Sequence, residues 1–66
     1  MSVLKVIELL VSSPVSWEDA ALKAIAKASK SIKNIKSVYI KDQSATVTAG
    51  AISEYRATLK VTFELE

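Results

Sequence analysis

The stretch YRATLKVTFELE, residues 55–66, decides the fold. Tyr55, Ala57, Leu59, Val61, Phe63 and Leu65 are apolar, and Arg56, Thr58, Lys60, Thr62, Glu64 and Glu66 are polar. Unbroken period-two alternation marks a β-strand with one face on a core and the other toward polar surroundings. Working back toward the N-terminus, Gly50, the one glycine, marks a turn into this strand. Val38 to Thr48, VYIKDQSATVT, reads as the strand before it, with Asp42, Gln43 and Ser44 as a bulge or bend.

Further upstream lies a helix. Pro14 disfavours helix at Ser13. Ser16 is a good N-cap, with Asp19 at the capping-box position and Val15 placed to pack on Ala20. Glu18 and Asp19 in the first turn complement the helix dipole. The helix is expected to run to about Asn34, with Trp17, Ala21, Ala24, Ile25, Ala28, Ile32 and Ile35 on one face. Lys23, Lys27, Lys30 and Lys33 form a stripe on the opposite face, and Ala20, Ala24 and Ala28 form a small-residue ridge. Residues 3–11, VLKVIELLV, read as a first strand. Lys5 and Glu8 fall on its opposite faces, which suits a strand covered by a helix on one side and a neighbouring subunit on the other.

The order is therefore β-α-β-β. The helix carries the chain back, so the second strand starts from the same end as the first. An all-antiparallel sheet then needs the third strand between them. The expectation is an α+β fold in one domain, residues 1–66, with a three-stranded antiparallel sheet wrapped around one helix and strand three central.

Size and composition narrow the function. A chain of 66 residues buries only about 60% of its unfolded surface, so its lone core is marginal. Small domains recruit disulfides, a metal or other subunits. Cysteine and histidine are both absent from the sequence, which removes disulfides and most zinc or copper ligand sets. Half the residues are hydrophobic and mean hydropathy is +0.26, an excess that points to subunit interfaces. A net charge of +2 gives little reason to invoke nucleic acid, and the lysine stripe reads as a solvated helix face. No run reaches the ~18–20 apolar residues of a membrane helix. The N-terminus lacks the shape of a signal peptide, so a cytoplasmic protein is expected. Without histidine or cysteine no nucleophile–base pair suggests an enzyme.

The combined pattern resembles the dodecins. It is carried by KVIEL.VSSP.SWEDA at the start, A..AI.KA in the helix and Y.ATLKVTFEL in the last strand. The resemblance implies a hollow, spherical homododecamer with cubic symmetry. In flavin-binding members, flavins pair at two-fold interfaces between tryptophans, and a glutamine of the last strand bonds the ring; storage and buffering are the roles implied. Here the tryptophan position falls on Ser37 and the glutamine position on Arg56, while Asp42 and Gln43 match an Asp-Gln pair of a flavin-binding member. Serine offers no stacking face, and arginine only donates hydrogen bonds. A flavin-free, calcium-associated subgroup is closer, through Ser16-Trp17-Glu18 and Tyr55-Arg56.

Ser37, Asp42, Gln43 and Arg56 are thus the candidate ligand residues, and Asp42 and Glu64 the candidate ligands for calcium or magnesium, which need several oxygens and hence a shared site. The alternative for Arg56 is an ion pair with Asp42 or Glu54 across an interface. Trp17 is either a ligand platform or an anchor for the helix start. The expected partners are further copies of the chain and a small molecule or ion (FMN or riboflavin, calcium or magnesium), without nucleic acid or membrane.

Overall fold

The structure, a computed structural model, describes residues 2–66. Strand β1 spans Leu4–Ser13, helix α1 Trp17–Ala28, strand β2 Ile35–Thr48 and strand β3 Ala51–Glu64. The three strands form one sheet in the order β1-β3-β2, antiparallel at both seams. The alternating segment is the central strand, as the β-α-β-β order requires of an all-antiparallel sheet.

Burial follows from that register. Ile7, Leu9 and Val11 of β1 lie opposite Val61, Leu59 and Ala57 of β3, and paired residues share a face. Ala57, Leu59 and Val61 are buried on this face beneath Trp17, Ala21, Ala24 and Ile25 of α1, with Ile35 closing one end. Ala20 is the buried residue of the helix. Fully burying one side chain of the size of Leu59 contributes about 1.5–3 kcal/mol, and among the described residues only Ala20, Ala57, Leu59 and Val61 form the buried apolar set.

Strand β1 lies one residue later at its start and two later at its end than the expected 3–11. β3 stops at Glu64 instead of Glu66, and the largest differences from the sequence reading are at the end of α1 and the start of β2. α1 stops at Ala28, six residues before Asn34. The Ser29 hydroxyl donates to the Ile25 carbonyl at 2.7 Å, and the Lys30 and Ser31 amides turn back to Lys27 and Ala28, three residues earlier. Serine offers the backbone such a local alternative to helix, and Ser29 is the C-cap that ends it without a glycine. The chain then passes through Asn34, at φ 62°, and β2 begins at Ile35, three residues before the expected Val38.

The bend expected at Asp42–Ser44 is a register shift between Ile40 and Asp42, one of three along β2. β1 pairs with β3 in unbroken register. The β2–β3 turn is the two-residue Ala49-Gly50, with φ of 52° and 78°. Positive φ at both positions belongs to the hairpin turn that matches strand twist.

Candidate functional site

The N-terminus of α1 is fixed by hydroxyl chemistry. Ser16 is the N-cap; its Oγ accepts from the Asp19 amide at 2.9 Å. The Asp19 carboxylate makes a different bond from the one a capping box supplies. It accepts from the buried Ser13 hydroxyl at 2.6 Å, while Ser13 Oγ accepts from the Val15 amide at 2.9 Å. Lys23 adds a contact to Asp19 at 3.2 Å. The Ser13 hydroxyl first, and Lys23 second, hold the Asp19 carboxyl below its ordinary value of 3.8. Ser13 was not singled out from sequence. A serine immediately before proline, able to bond its own backbone two residues on, was the available signal.

Trp17 is an anchor in this geometry. Its indole Nε1 donates to the Ser44 carbonyl of β2 at 2.8 Å, and its ring meets Tyr55 edge-on at 4.9 Å. Edge-to-face pairing at this distance is a favoured aromatic geometry. These contacts tie the start of α1 to both β2 and β3.

The face of the sheet opposite Leu59 has no helix on it. Four cross-strand rows define it: Val6, Thr62 and Ser37; Glu8, Lys60 and Tyr39; Leu10, Thr58 and Asp42; Ser12, Arg56 and Ser44. Lys41, the extra residue of the β2 irregularity, reaches Glu8 at 3.6 Å. Leu10 and Tyr39 are 67% and 65% exposed on this face.

Ser37, Asp42 and Arg56 are spread across that surface. Asp42 and Arg56 occupy adjacent rows. Ser37 pairs with Thr62, six residues along β3 from Arg56, roughly 20 Å away. Gln43 pairs with Ala57, so it takes the other face. Glu64 sits 3.7 Å from Lys36, and Asp42, opposite Thr58, is again roughly 20 Å along the sheet from Glu64. Among the described residues no group of three or more His, Cys, Asp or Glu side chains is placed to hold a metal ion. Arg56 has no carboxylate within ion-pair distance among the described residues. No helix among these residues is long and apolar enough to cross a membrane.

The fold and this placement define a βαββ protein whose candidate ligand residues do not converge on one single-chain cleft. The Dodecin family model matches residues 3–66. The chain is 37% identical over 65 residues to the calcium dodecin of Mycobacterium tuberculosis, covering 98% of this chain and 92% of that protein. A crystal structure of that calcium dodecin, described as calcium chelating with a novel calcium-binding site, is similar with a TM-score of 0.84 at 38% identity, over 98% of this chain and 93% of the other. A point-mutant dodecin of Thermus thermophilus gives a TM-score of 0.94 at 30% identity, over 100% of this chain and 98% of that one. The chain belongs to the dodecin family.

Proposed function

We propose that this protein assembles into a hollow homododecameric shell that holds ions or small ligands at its subunit interfaces without turning them over. The observation that carries the proposal is the bare sheet face. It sets exposed Leu10 and Tyr39 beside Asp42 and Arg56, while the buried apolar set among the described residues is only Ala20, Ala57, Leu59 and Val61. A core this small calls for burial between copies, and residues that stay apart within one chain come together across symmetry axes.

Calcium is the ligand class this reading favours. Two things support it: the likeness to a calcium dodecin, and carboxylates at Asp42 and Glu64 that symmetry would multiply into an oxygen-rich site. A stacked flavin fits less well, because Ser37 has no ring to stack and Arg56 cannot accept along a flavin edge. The flavin-storing alternative retains one supporting observation, the Asp42-Gln43 pair.

Light scattering tests the shell: the expected mass is about twelve times the 7.1 kDa chain, and a single-chain mass rejects it. On the assembled protein, calorimetric titration with calcium should give saturable heat that is reduced in Asp42→Asn. FMN fluorescence should stay unquenched at micromolar protein. Strong quenching with no calcium heat would shift the assignment to flavin storage.

A further inference from the structure

Six of the nine Lys and Arg residues lie between Ala20 and Lys41, and none of the seven carboxylates does. The net charge of +2 is therefore a cancellation: one stretch is strongly basic and the rest of the chain is acidic. The expectation of no nucleic-acid partner rests on the sum, and the fold decides where the charges stand in space.

Two of the six lysines are engaged by the sheet. Lys36 lies 3.7 Å from Glu64, and Lys41 lies 3.6 Å from Glu8. Lys23, Lys27, Lys30 and Lys33 are all exposed. Lys23 reaches Asp19 at 3.2 Å with its side chain still 71% exposed. The other three have no carboxylate within ion-pair distance among the described residues. Lys23, Lys27 and Lys30 are spaced as one helix face requires. α1 ends at Ala28, yet the Lys30 amide bonds to the Lys27 carbonyl at 3.2 Å and the Ile32 amide to the Ala28 carbonyl at 2.8 Å. The backbone thus keeps winding and carries Lys30 onto the same line, with Lys33 following at its end. The helix face that holds Ala21, Ala24 and Ile25 packs on the sheet, and the lysine row looks away from it.

The row can recognise little except phosphate. An ammonium group is a compact point charge without the planar fork that reads base edges. Between Ala20 and Lys33 there is no Arg, Asn, Gln or aromatic residue, so unpaired bases have nothing to stack on. A bilayer would find Leu22 as the one large apolar side chain exposed on α1, because the apolar face of the helix is already covered, and interfacial helices need such a face. What remains is attraction to a dense line of charge. Duplex DNA presents one negative charge per ~1.7 Å of axis.

We infer that the row formed by Lys23, Lys27, Lys30 and Lys33 is a docking surface for the phosphate backbone of double-stranded DNA, bound without regard to sequence. The inference goes beyond the ligand reading and uses none of its residues. Where copies assemble, each contributes a row, and linked weak contacts gain avidity.

Fluorescence anisotropy of a labelled DNA duplex titrated with the protein tests this, with light scattering on the same samples to report assembly. The wild type should bind two unrelated sequences equally at low salt, and affinity should fall at least about tenfold between about 50 and 200 mM salt. Lys27→Gln/Lys30→Gln should lose most of the affinity, and its slope of log K against log salt should be shallower by about 0.9 per phosphate contact removed. Lys27→Arg/Lys30→Arg should bind as the wild type does. Lys5→Gln/Lys41→Gln makes the same change of net charge outside the row and should also bind normally. Equal loss in the two neutralised pairs would reduce the effect to overall charge and overturn the proposal. A wild type that leaves the duplex free at low salt would overturn it too, whether or not vesicles of phosphatidylcholine and phosphatidylglycerol then capture the protein. A wild type that scatters as a single chain yet binds the duplex through the row rejects the shell and leaves this inference standing.

Discussion

Ser13 and Asp19 form the smallest unit with a measurable consequence. Ser13 is buried and both accepts and donates, so Ser13→Ala strips two partners at once. Leaving buried polar groups unpaired costs about 1–3 kcal/mol, and urea unfolding should show a loss of that order. Asp19 has a folded-state value below its ordinary 3.8. Its contribution is therefore present above pH 3.8 and is lost as pH falls through the lower folded value. The stability gap between wild type and Asp19→Asn, measured by unfolding across that range, should narrow on acidification; a gap that widens would contradict this pairing. Trp17→Phe keeps a ring against Tyr55 but removes the bond to the Ser44 carbonyl. It should cost ~1 kcal/mol in a thermal melt followed by circular dichroism. The N-cap at Ser16 was legible because capping depends on nearest neighbours along the chain. The Ser13–Asp19 bond was not, because it depends on how a strand end and a helix start meet in space.

The elements were legible to the extent that periodicity decided them. Alternation from Tyr55 onward fixed the central strand, and the β-α-β-β order then forced its position between the other two. The end of α1 escaped because apolar spacing continues through Ile32 and Ile35 while the backbone has already left the helix at Ser29. At the hairpin, glycine was expected at Gly50, but Ala49 shares its positive φ. A non-glycine residue held there costs about 1–2 kcal/mol, and asparagine tolerates it better. Ala49→Asn should raise the unfolding midpoint. Gly50→Ala should lower it, although a Cβ there meets no atom within 4 Å, because the strain lies in the backbone.

At the scale of the whole molecule, a single chain keeps the candidate residues apart. Ser37 and Arg56 were found by position in a family pattern, and a single chain leaves them at separated rows of one face. That separation was invisible in the sequence, since the register of β2 depends on its irregularities. Ser37→Trp with Arg56→Gln should install FMN quenching if both positions still meet across a two-fold axis. An assembled double variant without quenching would show that the pocket has been rebuilt elsewhere.

The pairing of β1 with β3 also sets the time at which this protein can fold. Leu4 finds its partner at Glu64, and Leu9 finds its own at Leu59. The buried centre, Ala57, Leu59 and Val61, is supplied almost wholly by the last strand. During synthesis β1 and α1 emerge first, without the buried strand on which both pack. The sheet closes only once β3 is free of the ribosome. Contacts of such long sequence separation slow folding toward the millisecond-to-second range. The nascent chain thus passes through a period in which its most apolar strand, β1, is open to chaperones and to its neighbours on the same message.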